Sequence, residues 1–408
     1  VVLRSDARGS VGSLSRHRML RGLIIAQVAV AFILANGAVL FARGYMKLMQ
    51  ENQLLATDRV VSARVALSGP RYGDDASQVR LWYELVRRVE GLSGVTSAAV
   101  TSKLPLEGGS NTNALVNDET YDPTIPRLQV ERSSVTENYF ETMGLRLLQG
   151  RNLKPEDREG EVRGVVVNKE MVARAWPNKD PLGQIMRGNN PGKPWYTVRV
   201  VGVVENVKQW GADAPMQAEM YTTPEGHWGD SAMLVVRTSL PLAKLTPMLR
   251  HELAQIDGEL AFRDVRTMRQ VVERSTQSHR AVTGLVNFFM AVALGLVAVG
   301  LYGTLSYHVQ QRTREIGVRV AIGAMKRDIF RLIFTQGGRW ILIGMVFGLL
   351  GSFAVSKLLK AIVYGMSELT ALPLVFAAIA VVVAALAACW LPAHRAARLD
   401  PLEALRAD

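Results

Sequence analysis

"AVTGLVNFFMAVALGLVAVGLYGTLSYHVQQRTREIGVRVAIGA" occupies residues 281–324. Ala281 to Gln311 holds no Asp, Glu, Lys or Arg, and the residues after Gln311 are crowded with Arg. An uncharged helix of about 20 residues crosses the hydrocarbon of a bilayer, so the stretch reads as a membrane span that empties into a basic loop. Three other runs have the same character. Leu23–Ala42 is uncharged between Arg21 and Arg43, Leu332–Ser356 is interrupted only by Arg339, and Leu369–Ala393 is uncharged. One such helix can hide in the core of a soluble protein; four together point to a multi-pass membrane protein.

Lys and Arg in short loops set orientation. Arg4, Arg8, Arg16, Arg18 and Arg21 precede the first span. Arg312, Arg314, Arg319, Lys326, Arg327 and Arg331 lie between the second and third, and Arg395, Arg398 and Arg406 come after the fourth. Only Lys357 and Lys360 stand between the third and fourth. Both termini and the loop at 309–331 are therefore expected in the cytoplasm. The stretch 44–280 and the short loop 357–368 are expected outside. The expected spans are 22–43, 281–308, 332–356 and 369–393, with a basic linker at 1–21 and a tail at 394–408.

Composition agrees with this division. Of 408 residues, 49% are hydrophobic and 21% charged, with a net charge of +12. So basic a chain suits nucleic acid, an anionic membrane or cytoplasmic loops; the apolar runs select the loops and lipid, and no nucleic-acid partner is expected. The single cysteine, Cys389, lies in an apolar run and reads as a small buried hydrophobe. The chain opens on Val, shows no signal peptide and begins with the polar lead "RSDARGSVGSLSRHR" (4–18). It is expected to be part of a longer polypeptide.

The stretch between the first two spans is mixed α/β. "DRVVSARVAL" (58–67) and "GVTSAAVTS" (94–102) read as strands. Between them, Val79, Trp82, Val86 and Val89 recur at helical spacing. The pattern returns late, with "SAMLVVRTS" (231–239), a helix over Leu242–Ile256 and "LAFRDV" (260–265). Two strand–helix–strand units split by a long insert predict a ferredoxin-like subdomain. The insert, about 105–230, carries strands at "RGVVVN" (163–168) and "YTVRVVGVVENV" (196–207) and turn punctuation at "NNPGKP" (189–194), and is expected to be mostly β.

Chemistry is sparse. His227, His251 and His279 have no metal-ligand spacing. "GNNPGK" is one residue short of a phosphate loop, and Pro194 replaces the magnesium-binding hydroxyl. No catalytic residue, metal ligand or cofactor is assigned, and the chain is not expected to be an enzyme. Trp176, Trp195, Trp210 and Trp228 read as core or subdomain contacts, with a binding surface as the alternative. Within the spans, Gly344 and Gly348 form a G-x-x-x-G pair before Gly351, and Gly295, Gly300 and Gly303 recur in the second span; small residues let helices approach closely. Gln27, Asn36 and Asn287 are expected to hydrogen-bond between helices. In the basic loop, Ile316, Val320 and Ala324 share one helical face and Arg312, Glu315 and Arg319 another. Glu315 and Arg319 make a favourable i,i+4 pair, while Gly317 and Gly323 weaken the helix. After the last span, Asp400, Pro401 and Glu403 suit a capped helix start.

These residues resemble the permease subunits of MacB- and FtsX-type ABC transporters nearly end to end. The most specific pieces are "QRTREIGVRVAIGA" (311–324) and "LPAHRAARLDPLEALR" (391–406). "VTENYFETMGLRLLQGR" (135–151), "VVNKEMVARAWPNKDPLGQ" (166–184) and "VVGVVENVKQWG" (200–211) look like the family's periplasmic core domain. Residues 281–401 look like its FtsX-like permease domain. The whole is most similar to the second half of the duplicated permeases first noted in acidobacteria. The resemblance implies a bacterial inner-membrane protein whose loop between the second and third spans contacts a cytoplasmic ATPase carried on a separate chain. Arg314, Glu315, Gly317, Arg319, Gly323 and Ala324 fall on that coupling element. It implies a second permease half or a homodimer mate, and a periplasmic adaptor among the partners. The implied role is coupling ATP hydrolysis to movement of the outer domain, acting on antimicrobials, peptides or lipoproteins. The alternative is an FtsX-like regulator or scaffold controlling an extracytoplasmic enzyme without transport.

Overall fold

The computed structural model describes residues 10–55, 57–67, 70–116, 128–189, 196–224, 231–311, 322, 325–362 and 371–396. In chain order the elements are α1 (Ser10–Glu51), β1 (Val60–Ala66), α2 (Asp75–Glu90), β2 (Val95–Thr101), β3 (Asn111–Val116), β4 (Leu128–Ser134), α3 (Tyr139–Met143), β5 (Leu147–Gly150), β6 (Val162–Asn168), α4 (Lys169–Ala175), β7 (Ile185–Asn189), β8 (Tyr196–Val204), β9 (Glu219–Thr222), β10 (Ser231–Thr238), α5 (Leu242–Ile256), β11 (Phe262–Thr267), α6 (Met268–Ser275), α7 (Gln277–Gln311), α8 (Lys326–Ile362) and α9 (Ala371–Ala396). They form two compact units, one of Val1–Met46 with Ser278–Asp408 and one of Lys47–Gln277.

The first unit is helical. Four of its helices are long and apolar enough to cross a membrane, over Met19–Glu51, Gln277–Tyr307, Gly337–Lys357 and Ala371–Trp390. Stripes of residues turn inward at helical spacing: Ile24, Val28, Ala31 and Ala35 on α1, Val297, Leu301 and Leu305 on α7, and Ala377, Val381, Ala385 and Ala388 on α9. The outward faces carry large apolar side chains such as Phe288, Leu296, Phe347 and Phe376. That inversion is stable only in lipid, which solvates the outer residues as well as the core does.

In the second unit, β1, β2, β10 and β11 make an antiparallel sheet in the order β11-β1-β10-β2. With α2 after β1 and α5 after β10, this is the split βαβ arrangement, entered twice by the chain. The side chain of Asp74 caps α2 by accepting from the Ser77 amide at 2.7 Å. The helix buries Leu81, Trp82, Leu85, Val86 and Val89, each contributing about 1.5–3 kcal/mol by removal from water. Val79, expected on that face, is only partly buried; it lies on the rim of a separate cleft, because the buried stripe runs through Leu81 and Leu85 instead.

The insert is a second sheet in the order β5-β8-β6-β9-β4-β3-β7, and β7 also pairs with β8. That last pairing closes β8, β6, β9, β4, β3 and β7 into a ring. β8 is long enough to serve two strands along one edge: Tyr196–Arg199 pairs with β7, and Gly202–Val204 with β5. Val165 and Val167 of β6 join Val130, Met186, Val198 and Trp176 in one apolar cluster. Val166, pointing the other way, joins a second cluster with Val235 of β10, Ala99 of β2 and Val272 of α6. The two sheets therefore share a core. Tyr139, Phe140 and Met143 of α3 are buried in it, with Phe140 and Tyr221 edge-to-face at 4.9 Å. Gly144 ends α3 at φ 76°, where a Cβ would also lie 2.7 Å from the Arg237 Nη2. Strands β3, β4, β5, β7 and β9, and the ring they complete, carry no pattern that the sequence alone made readable.

Candidate functional site

Two places combine tight geometry with polar chemistry. The first is the seam between α8 and α1. A Cβ built on Gly344 would fall 2.7 Å from both Cβ and Cγ1 of Val28 and 2.9 Å from the Ile25 carbonyl oxygen. One built on Gly348 would fall 2.7 Å from the Phe32 Cβ. Gly351 faces Ile33 in the same way. Glycine at these three successive contacts lets the backbones approach more closely than any side chain allows. At one end of the seam the Arg21 guanidinium lies 5.8 Å from the Trp340 ring centroid, a cation–π contact.

The other spanning glycines differ. A Cβ on Gly300 would strike Gln27, but one built on Gly295 or Gly303 meets none of the described residues of another helix within 4 Å. Interhelical hydrogen bonding at the polar residues is not what the structure shows. Gln27 Oε1 is buried without a hydrogen-bond partner, Asn36 is buried, and Asn287 is exposed. α7 turns Asn287 outward because its inward stripe runs through Val297, Leu301 and Leu305.

The second place is a buried polar cluster in the β-rich part of the second unit. β4 and β9 run parallel and set Glu131 beside Glu219 in register. Lys103 Nζ reaches Glu131 Oε2 at 2.6 Å, the Ser110 amide donates to the same oxygen at 2.7 Å, and Trp210 Nε1 donates to Oε1 at 2.6 Å. Glu219 accepts from Ser133 Oγ and Gln209 Nε2, each at 2.7 Å, and from Tyr221 Oη at 2.8 Å. Burial raises the Glu219 carboxyl above the usual range, although Lys103 and its hydrogen bonds pull the other way. Burial, then the Glu219 charge, also pushes the Tyr139 and Tyr221 phenols up. Sequence reasoning missed this cluster because its members are spread over separate segments that only the closed ring brings together. Of the tryptophans, Trp176 is core and Trp210 is half-exposed on Glu131; Trp195 and Trp228 lie outside the described residues.

Beside α2 lies an open cleft of about 980 Å3, lined by Val79, Tyr83, Arg158, Arg163 and Pro224. Tyr83 Oη donates to Glu137 at 2.6 Å, and Arg158 lies over its ring at 5.6 Å. Burial and then that hydrogen bond hold the phenol neutral. Among the described residues no group of His, Cys, Asp and Glu is placed to hold a metal. Arg314, Glu315, Gly317, Arg319, Gly323 and Ala324, together with Asp400, Pro401 and Glu403, lie outside the described residues.

Similarity to known proteins divides near the same C-terminal boundary of the α/β unit. The MacB-like periplasmic core domain matches residues 21–277, more than half of the chain, and the FtsX-like permease C-terminal domain matches 287–401. The chain belongs to the MacB/FtsX-type ABC transporter permeases. It is 26% identical over 419 aligned residues to the macrolide export ATP-binding/permease protein MacB of Bartonella henselae, covering 97% of this chain and 58% of that one. It is 25% identical to the probable syringafactin export ATP-binding/permease protein SyfD of Pseudomonas syringae, covering 97% and 59%. The chain thus spans somewhat over half the length of these relatives. Among solved structures, the periplasmic region of MacB from Actinobacillus actinomycetemcomitans aligns with a TM-score of 0.37 and 17% identity, over 56% of this chain and 97% of that one. A permease of this family is a multi-pass membrane component of an ABC transporter, and the four membrane-length helices fit that part.

Proposed function

We infer that this permease transmits work rather than enclosing a channel. A cytoplasmic ATPase would engage the basic loop through Arg314, Glu315, Gly317, Arg319, Gly323 and Ala324. Its closure on ATP would shift the helices along the Gly344–Gly348 seam and move the periplasmic core domain on the outer side of a bacterial inner membrane. The observation that carries this reading is the core shared by the split βαβ sheet and the closed ring. Val166, Tyr221, Met233 and Met268 belong to one apolar cluster, so a displacement applied to one sheet is passed to the other instead of being lost at a hinge. Four spanning helices are few for a solute pathway, which favours a second permease half or a mate. The relatives' names join ATP binding with export of a macrolide or syringafactin. With that analogy, the cargo is an antimicrobial, a peptide or a lipoprotein, handled outside the membrane.

Reconstitution with the cognate ATPase tests the reading. Glu315→Arg should leave assembly of the α/β unit intact but reduce permease-stimulated ATP hydrolysis by about tenfold or more, as reversing a charge at an interface does when it sets like charges against each other. Unchanged stimulation, or stimulation lost together with the fold, would count against the loop as the coupling element.

A further inference from the structure

An open pocket of about 320 Å3 lies in the α/β unit where β1, β11 and α6 meet. Three guanidinium groups line it: Arg64 from β1, Arg266 from β11 and Arg274 from α6. Arg266 sets it apart from an ordinary basic surface. Its side chain is only 8% exposed, and of its nitrogens only Nη2 is engaged, by Glu107 and by Asp264 at 2.7 Å. Nε and Nη1 are buried with no hydrogen-bond partner. Buried donors are nearly always satisfied, and a charged one left bare is costly. The fold holds this one firmly. The β1–β11 register shifts between Ser62 and Arg64, a bulge that re-aims the strand. Asp264 sits beside it at φ 57°, in the left-handed region.

The remaining charges are partly spent. Arg64 lies 3.5 Å from Glu107 and Arg274 3.8 Å from Asp264, both long for a hydrogen bond. Three cations against two carboxylates leave an excess positive charge around two unmet buried donors. We propose that this pocket is a binding site for a phosphate group. A tetrahedral anion offers acceptor oxygens in several directions, which matches guanidinium groups arriving from three different elements. The volume is roughly ten times that of a water molecule in the liquid, about 30 Å3, enough for a phosphate ester and not only the free ion. Ser275, which also lines the pocket, precedes Ala281 and the uncharged run by six positions. A phospholipid headgroup and soluble phosphate are the two sources of such a group.

The full chain in dodecyl maltoside micelles, which carry no phosphate, separates the two sources. Its thermal unfolding midpoint is measured at constant ionic strength with inorganic phosphate, with phosphatidylglycerol, or with a diacylglycerol of the same acyl chains. Saturating phosphate or phosphatidylglycerol should raise the midpoint by several degrees, as ligands of the native state do. A rise with inorganic phosphate identifies the free ion as a ligand; a rise with phosphatidylglycerol but not diacylglycerol identifies the headgroup. Arg274→Gln, at a side chain 69% exposed, should barely move the ligand-free midpoint and should weaken the response by about tenfold in ligand concentration. Arg266→Gln should abolish it, and if that variant does not fold, Arg274→Gln decides alone. No rise with either phosphate compound, or a rise in Arg274→Gln equal to that of the parent chain, overturns the proposal.

Discussion

Gly344 on α8 and Val28 on α1 meet so closely that a methyl group on the glycine would stand 2.7 Å from the valine Cβ. Real carbons do not approach to that distance, so any larger residue must push the two helices apart. Gly344→Leu should cost about 1–3 kcal/mol of bundle stability, the usual penalty for overpacking. It should also reduce ATPase-coupled activity if the seam moves during the cycle. Gly303→Leu is the matched control, since a Cβ built there meets no described residue beyond its own helix turn within 4 Å. Thermal unfolding of the two variants in detergent compares them directly; equal midpoints would mean that the seam is not tightly packed.

The membrane part and the split βαβ sheet were legible in sequence for the same reason: each is a run of one periodicity long enough to stand out. An uncharged stretch such as Ala281–Gln311 needs no context to be recognised. α2 announced itself through apolar spacing, and the same strand–helix–strand order returned around α5. The closed ring was not legible. β5 and β9 are four residues each, and β3 begins with Asn-Thr-Asn; such strands owe their existence to neighbours, not to their own propensity. The buried polar groups were hidden with them. Lys103, Glu131 and Arg266 look like surface charges in sequence and become interior only when distant segments pair.

Lys103 and Glu131 supply a second prediction. The Glu131 side chain is fully buried and Lys103 nearly so. Removing one partner strands a charge, whereas removing both does not. Lys103→Met should destabilise by about 3–5 kcal/mol, and Lys103→Met with Glu131→Gln should recover much of that loss. The comparison needs only the unfolding midpoints of the parent, both single variants and the double variant. Additive losses would show that the pair is not a coupled unit.

Asp157 predicts the acid limb of the stability profile. It takes two hydrogen bonds from Arg151, at 2.7 and 2.8 Å, and one from the Lys154 amide at 2.7 Å. Burial alone would raise its pKa, but Arg151 and the amide outweigh that and hold it below 3.8. The unfolded chain therefore takes up the proton first. The stability from this group is complete above the ordinary carboxylate range and is lost as pH falls through the depressed value. Arg151→Met should cost about 1–2 kcal/mol at neutral pH, discounted because Arg151 is partly exposed. The gap from the parent should narrow as the solution is acidified below about pH 4. Midpoints that stay equally far apart across that range would exclude the ion pair as the cause.

Glu219 has the opposite sign. Its carboxyl is raised by burial, so the folded chain keeps its proton after the unfolded chain has lost it. Stability from this group is present below the ordinary carboxylate range. It declines as pH rises from there to the raised value, beyond which both states are ionised and the loss is complete. Glutamine reproduces the neutral form: its one oxygen can accept from Ser133 Oγ and Gln209 Nε2, and its NH2, in the place of the other carboxylate oxygen, can donate to Tyr221 Oη. Glu219→Gln should therefore match the parent in acid and become the more stable of the two as pH rises. Lys103 is the balancing charge: once Glu219 ionises, two carboxylates share one lysine, and the second has no cation of its own. Unfolding midpoints of parent and Glu219→Gln from about pH 4 to 8 provide the measurement. Parallel curves would mean that Glu219 is already ionised in the folded chain, with its three hydrogen bonds and Lys103 sufficient to carry the charge.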